Sequence, residues 1–243
     1  MKTKIILTIL LIILSFNLVC QTKNYSGEVI YEAETVYEDI DNLKIKGFSK
    51  KQRRDFIALL KNQNKLKYKL LFSKEESIFK EIKKLELSEN KFNLVRISVG
   101  EGIFYVSKNT LHQKEFSGKL FLINVPQFKW KLTQESKKIG NYICYKATTS
   151  IEISTSRGKS IRKIIAWYTL QIPFNYGPKE YNGLPGLILE LQQDKLLLKA
   201  LKINLFSKKK LDIKKPTKGE RVTLKEYDSI VKEVFYSRRR KEY

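Results

Sequence analysis

What most constrains this chain is a long succession of strand-length apolar runs, each closed by turn-forming residues. Within Ser26–Tyr37, Val29, Tyr31 and Ala33 alternate with Glu28 and Glu32, a period of two that sends successive side chains to opposite faces of a strand. Lys67–Ser73, Phe92–Ile97, Gly102–Val106, Leu111–Ile123, Tyr142–Ile153, Ile161–Ile172, Leu187–Leu191 and Lys195–Leu205 share that strand character. Gly100-Glu101-Gly102, Gly140-Asn141, Arg157-Gly158-Lys159 and Gln192-Gln193-Asp194 lie between them and read as turns. The segment Asn124–Gln127 holds Pro126 and reads as a connection. The pattern predicts a mainly β fold: a single, strongly curved antiparallel sheet, as far as a half-barrel.

Two helices interrupt it. Ser49-Lys50-Lys51-Gln52 has the form of a capping box, with Phe56, Leu59 and Leu60 following at helical spacing to about Asn62. Thr223-Leu224-Lys225-Glu226 is a second box, and behind it Tyr227, Ile230, Val231, Val234 and Phe235 form one apolar stripe. The basic run Arg238-Arg239-Arg240-Lys241 complements the dipole at that helix end.

The first twenty residues read as a secretory signal peptide. Lys2 and Lys4 precede the apolar run Ile5–Leu14, which is shorter than the roughly 20 residues a membrane-spanning helix needs. Cleavage near Cys20 would leave residues 21–243 as one domain with Cys144 as its remaining thiol; acylation of Cys20 is the other reading, set back by Val19 in the place of a small residue. The formal net charge is +23. The lysines are spread along the chain, which reads first as a compositional bias carried on solvated strand faces; export removes it from nucleic acid, so an anionic envelope surface is the partner that the functional alternative suggests. Periplasm or outer membrane is the expected location.

Chemistry-bearing residues are sparse. His112 is the one histidine, which rules out a multi-imidazole metal site, and no Asp-rich loop suggests a hard cation. No metal or cofactor is therefore expected. Cys144 could act as a nucleophile with His112 as its base, but reads more simply as a small core residue in an alternating strand, with Tyr142 and Lys146 on its face and Ile143, Tyr145 and Ala147 on the other. Glu190 lies inside an apolar strand and, if inward, needs a cation such as Lys146 or Arg162. Among the aromatic residues, Trp130 and Trp167 read as core, while Tyr168, Tyr176 and Tyr181, with Glu190, are candidates for lining a ligand groove.

The stretch Gly183-Leu184-Pro185-Gly186-Leu187-Ile188-Leu189-Glu190 reads as a strand, a type II turn with Pro185 at its first corner and Gly186 at φ > 0, then a new strand. Together with Trp130-Lys131-Leu132, Ile139-Gly140-Asn141-Tyr142-Ile143-Cys144-Tyr145-Lys146-Ala147, Ala166-Trp167-Tyr168-Thr169, Ile172-Pro173 and Gly177–Tyr181, it resembles the GLPGLI family, exported proteins of Bacteroidetes. The resemblance covers about residues 130–191. It implies an envelope protein with a mostly β fold and carries over no catalytic residue. Three functions follow, in this order: a non-catalytic protein binding a hydrophobic or anionic ligand on the concave face of the sheet; an interaction module meeting an outer-membrane partner through a sheet edge or its basic surface; and a hydrolase using Cys144 or a carboxylate.

Overall fold

The alternating runs become twelve strands of one sheet in a computed structural model, which describes residues 26–43, 45, 47–83, 93–155, 158–206 and 211–240. In chain order these are β1 Ser26–Thr35, α1 Lys50–Lys61, β2 Leu66–Phe72, β3 Ser77–Glu81, α2 Leu94–Val99, β4 Ile103–Val106, β5 Thr110–Phe116 and β6 Lys119–Val125. There follow β7 Lys131–Ile139, β8 Tyr142–Thr155, β9 Gly158–Thr169, β10 Leu187–Gln193, β11 Leu196–Phe206, β12 Glu220–Thr223 and α3 Leu224–Arg240. Across the sheet they lie in the order β12-β6-β5-β4-β3-β2-β1-β11-β10-β9-β8-β7. All neighbours are antiparallel except β12, which runs parallel to β6. The signal-peptide region and the turn residue Arg157 fall outside the described residues.

One short connection forces the sheet to curl. β6 and β7 are ten positions apart in the strand order, a lateral distance of about 48 Å in a flat sheet at ~4.8 Å per strand. The chain between them, residues 126–130, has no regular structure and reaches at most about 20 Å when extended. The sheet must therefore bend until its two ends approach each other. This is the strong curvature that the sequence predicts.

Both capping boxes form. Ser49 Oγ accepts from the Gln52 amide at 3.3 Å while Gln52 Oε1 accepts from the Ser49 amide at 2.9 Å. Thr223 and Glu226 exchange the same pair of bonds, at 3.3 and 2.7 Å. Local side-chain chemistry of this kind is independent of the rest of the fold.

Other readings are corrected. Leu94–Val99, overlapping the run read as the strand Phe92–Ile97, is a helical turn and a half capped by Asn93, whose side chain accepts from the Arg96 amide. Val95 and Val99, four residues apart, both face the core, and a capped i, i+4 pair favours helix over strand. The run Leu111–Ile123 is a hairpin: Ser117 and Gly118 take φ of 52° and 77°, the left-handed pair of a two-residue turn. The final hairpin turns at Asp194-Lys195 rather than at Gln192–Asp194, and β9 stops at Thr169, short of Ile172. β3 and β12 were not legible as strands.

The core lies on the concave face. Val29, Tyr31 and Ala33 of β1, Tyr68, Leu70 and Phe72 of β2, and Ile164, Ala166 and Tyr168 of β9 are buried together. A smaller cluster, Phe121, Ile123, Val125 and Tyr227, seats α3 against β6. At the centre of the large core the Tyr31 hydroxyl donates to the Ile188 carbonyl oxygen at 2.5 Å. Burial raises the pKa of this hydroxyl, so it remains a donor. Tyr31→Phe leaves that carbonyl unsatisfied and is expected to cost about 1–3 kcal/mol, read as a lower urea midpoint with an unchanged slope.

Candidate functional site

The segment 170–186 between β9 and β10 has no strand, contrary to the strand–turn–strand reading, and lies over the concave face. Its backbone is tied to the start of β10: the Leu187 amide donates to Ile172 O at 3.0 Å, and the Ile188 amide to Tyr176 O at 3.0 Å. The Gly183 amide donates to Asn175 O at 2.8 Å. Leu184, Ile172, Tyr176 and Tyr181 join the main core, and Trp130 reaches in from the 126–130 connection, its indole N–H donating to Asn182 O at 2.8 Å. Phe128 packs on Tyr181 with ring centroids 4.8 Å apart.

The glycines of this segment have different tasks from those the sequence suggests. Gly183, not Gly186, carries the positive φ, at +89°. A Cβ on Gly183 would meet open space, whereas one on Gly186 would stand 2.0 Å from the Thr169 carbonyl oxygen. Gly186 is thus required by the close approach of two backbones, so the type II corner gives way to a contact. Pro185 is exposed at the bend, while Leu184, Leu187 and Ile188 are buried.

The convex face carries an alternating row. In register across neighbouring strands stand Lys67, Glu32, Lys199, Glu190, Trp167 and Lys146. Such cross-strand pairs are the unit of sheet stabilisation. Glu190 does find a cation, but it is Lys137 of β7, at 2.7 Å; Lys146 pairs with Glu135 and Arg162 with Asp194. Lys137 Nζ also lies 4.3 Å from the centre of the Trp167 ring, which places Trp167 half-buried under a lysine on this face rather than inside the core. Glu190 therefore does not share a groove with the three tyrosines.

Cys144 pairs with Lys137 and is fully buried. Ala147, three residues on and on the opposite side of β8, is buried too, so both faces of this strand are covered here. Burial pushes the Cys144 thiol up to about 11, which keeps it protonated and a poor nucleophile. His112 is engaged elsewhere: its Nε2 lies 2.7 Å from Glu101 O and its ring stacks on Phe104 at 3.9 Å. The Cys–His pair is not assembled.

A buried polar group gathers around Lys179, whose partners the sequence does not mark. Lys179, in the left-handed region at φ 59°, is buried and donates from Nζ to Gln193 Oε1 at 2.7 Å. Glu180 Oε1 is 3.9 Å from that ammonium. The Asn182 side chain donates to Thr110 Oγ1 at 3.0 Å, tying the segment to β5. Burial lowers the Lys179 pKa and raises that of Tyr181. Glu180 Oε2 and the Tyr181 hydroxyl are buried without a hydrogen-bond partner among the described residues, which marks a place where ordered water belongs. No local signal could have found this group, since its partners come from 14 and 72 residues away. Of the candidate ligand residues, Tyr168, Tyr176 and Tyr181 are 5%, 4% and 0% exposed, so they pack the concave face rather than line an opening in it. Among the described residues, no three His, Cys, Asp or Glu side chains come together as a metal site.

Residues 130–190 match the model of a family described as "Protein of unknown function (Porph_ging)", the GLPGLI family. No protein with a curated description matches the chain. Among solved structures, the chain is similar to PNGF-II in its C2 crystal form, with a TM-score of 0.50 and 16% identity over 85% of this chain and 32% of that one. A P21 form of the same protein gives 0.48 and 15%, over 84% and 33%. The chain spans about a third of the length of the structure it matches, and at this identity the likeness concerns the fold alone.

Two outcomes are expected. Gly186→Ala should lose about 3 kcal/mol by overpacking against Thr169, and Gly183→Ala only about 1 kcal/mol from its positive φ; thermal or urea unfolding of both variants checks the order. Burial pushes His112 down to about 4 from its ordinary 6.5. Between those values the unfolded chain holds a proton that the folded chain does not, so stability should fall as pH drops from 6.5 to 4, by on the order of 2 kcal/mol. His112→Phe should remove that part of the slope, and the single imidazole resonance should titrate near 4 by NMR.

Proposed function

We propose that this chain, a member of the GLPGLI family through its segment 130–190, acts as a non-catalytic interaction module of the bacterial cell envelope. It works through the rim and edges of its sheet rather than through a ligand in the concave face. The supporting observation is the occupancy of that face. Connection 126–130 and segment 170–186 pack into it, leaving Tyr176 and Tyr181 as core residues and taking the place an apolar guest would need.

The rim near β7–β9 is different. Leu132, Ile143, Ile161 and Leu170 are 53%, 55%, 77% and 51% exposed, and among the described residues β7 pairs on one side only. Apolar side chains beside a one-sided strand are the chemistry of protein contact. Export, by the signal-peptide reading of residues 1–20, would bring this surface to the periplasm or the outer membrane, where the positive charge favours anionic neighbours.

Native mass spectrometry of the protein from its own envelope, with cross-linking before extraction, tests this reading. The expected result is a polypeptide mass without bound lipid, and cross-links to a protein partner from the β7–β9 end. A stoichiometric apolar ligand would overturn the reading and restore the concave face as the binding site.

A further inference from the structure

β8 is longer than the strand beside it. Its pairing with β7 begins at Lys131↔Thr148, while its pairing with β9 continues to Thr155↔Gly158. From Thr149 onward, β8 has β9 on one side and, among the described residues, no strand on the other. The chain that could have filled the place, residues 126–130, stands away from it: among the described residues, no backbone hydrogen bond joins that connection to β8. Between the two is a groove of about 700 Å³, within the size range of ordinary ligand clefts.

The lining of the groove is specific. The consecutive residues Thr148, Thr149, Ser150 and Ile151 of β8 form one wall, so a stretch of strand edge faces the space. Phe128 and Ile161 supply apolar surface, and Lys129, Lys131 and Lys163 supply the charge; among the described residues no acidic side chain lines it. A strand edge presents backbone donors and acceptors at a fixed spacing, and the guest that satisfies them is another extended backbone. Three lysines select a guest carrying carboxylates. A second copy of this chain is a poor guest, because each copy carries a formal charge of +23.

We propose that the open edge of β8 in this groove binds an extended acidic segment of a partner protein by strand addition, its apolar side chains against Phe128 and Ile161 and its carboxylates at Lys129, Lys131 and Lys163. This rests on the interaction-module reading and assigns its site.

The test uses the whole purified protein and a labelled seven-residue probe of alternating Glu and Val, with a Lys/Val probe of equal length as the control. Anisotropy should show binding of the acidic probe alone, weakened at least tenfold by the double charge reversal Lys129→Glu/Lys163→Glu and by Ile161→Asp. These side chains are exposed, so the variants should keep the wild-type unfolding midpoint. N-methylation of alternate residues of the probe should abolish binding, and hydrogen exchange should slow at Thr149–Ile151 on saturation. Equal binding of the basic probe, indifference to N-methylation, or unchanged exchange at β8 would overturn the proposal. So would self-association that the charge reversal abolishes, which would make a second copy the guest. If cross-linking finds a protein partner at another surface, this site fails and the module reading stands; if it finds bound lipid and no partner, the module reading fails with it.

Discussion

A single sheet has two faces and no second layer to cover either, and the rest of this structure follows from how the chain meets that constraint. Twelve strands place a broad apolar surface on one side, while the helices are few and seat locally, α2 in the main core and α3 on β6. The fold closes the surface by curling, so that the two ends of the sheet approach, and by filling the hollow with irregular chain. The five-residue connection 126–130 sets the curl because it is too short to cross a flat sheet. Segment 170–186 does most of the filling, bringing in Ile172, Tyr176, Tyr181 and Leu184.

Irregular chain inside a core has a cost, since its backbone groups lose water without a ladder to replace it. The structure answers with scattered bonds. Leu187 and Ile188 donate to Ile172 and Tyr176, Gly183 donates to Asn175, Trp130 donates to Asn182, and Tyr31 donates to Ile188. The buried Lys179 with Gln193 belongs to the same solution. The Gly183–Glu190 motif sits where these bonds converge, so its residue types follow from packing. Gly186 makes room for Thr169, Gly183 supplies the left-handed step, and Glu190 falls outside the hollow, in the charged row of the convex face.

The convex face and the rim are then what remains for contact with other molecules. Cross-strand pairing of opposite charges keeps the convex face soluble with contributions that are individually small. The rim near β7–β9 combines exposed apolar side chains with strand edge, the feature that natural sheets usually blunt or occupy. The lysines and the register shift in β7 blunt that strand. The part of β8 beyond it instead opens on a basic groove.

The sequence by itself determined the β class, the approximate place of most strands, both capped helices and the face of β1, because alternation and caps act over two to four residues. It misread Phe92–Ile97, where an Asn cap and a valine pair outweighed an apparent strand, and it placed Trp167 inside and left the tyrosines as candidates for a groove. Only the tertiary structure decided those placements. Which side of a strand meets the hollow depends on register shifts such as those at Leu189 and at Leu132–Ser136. What fills the hollow depends on contacts between residues far apart in the chain, such as Tyr31 with Ile188 and Thr110 with Asn182. A period of two fixes two faces, but the closure of the sheet chooses which one is the inside.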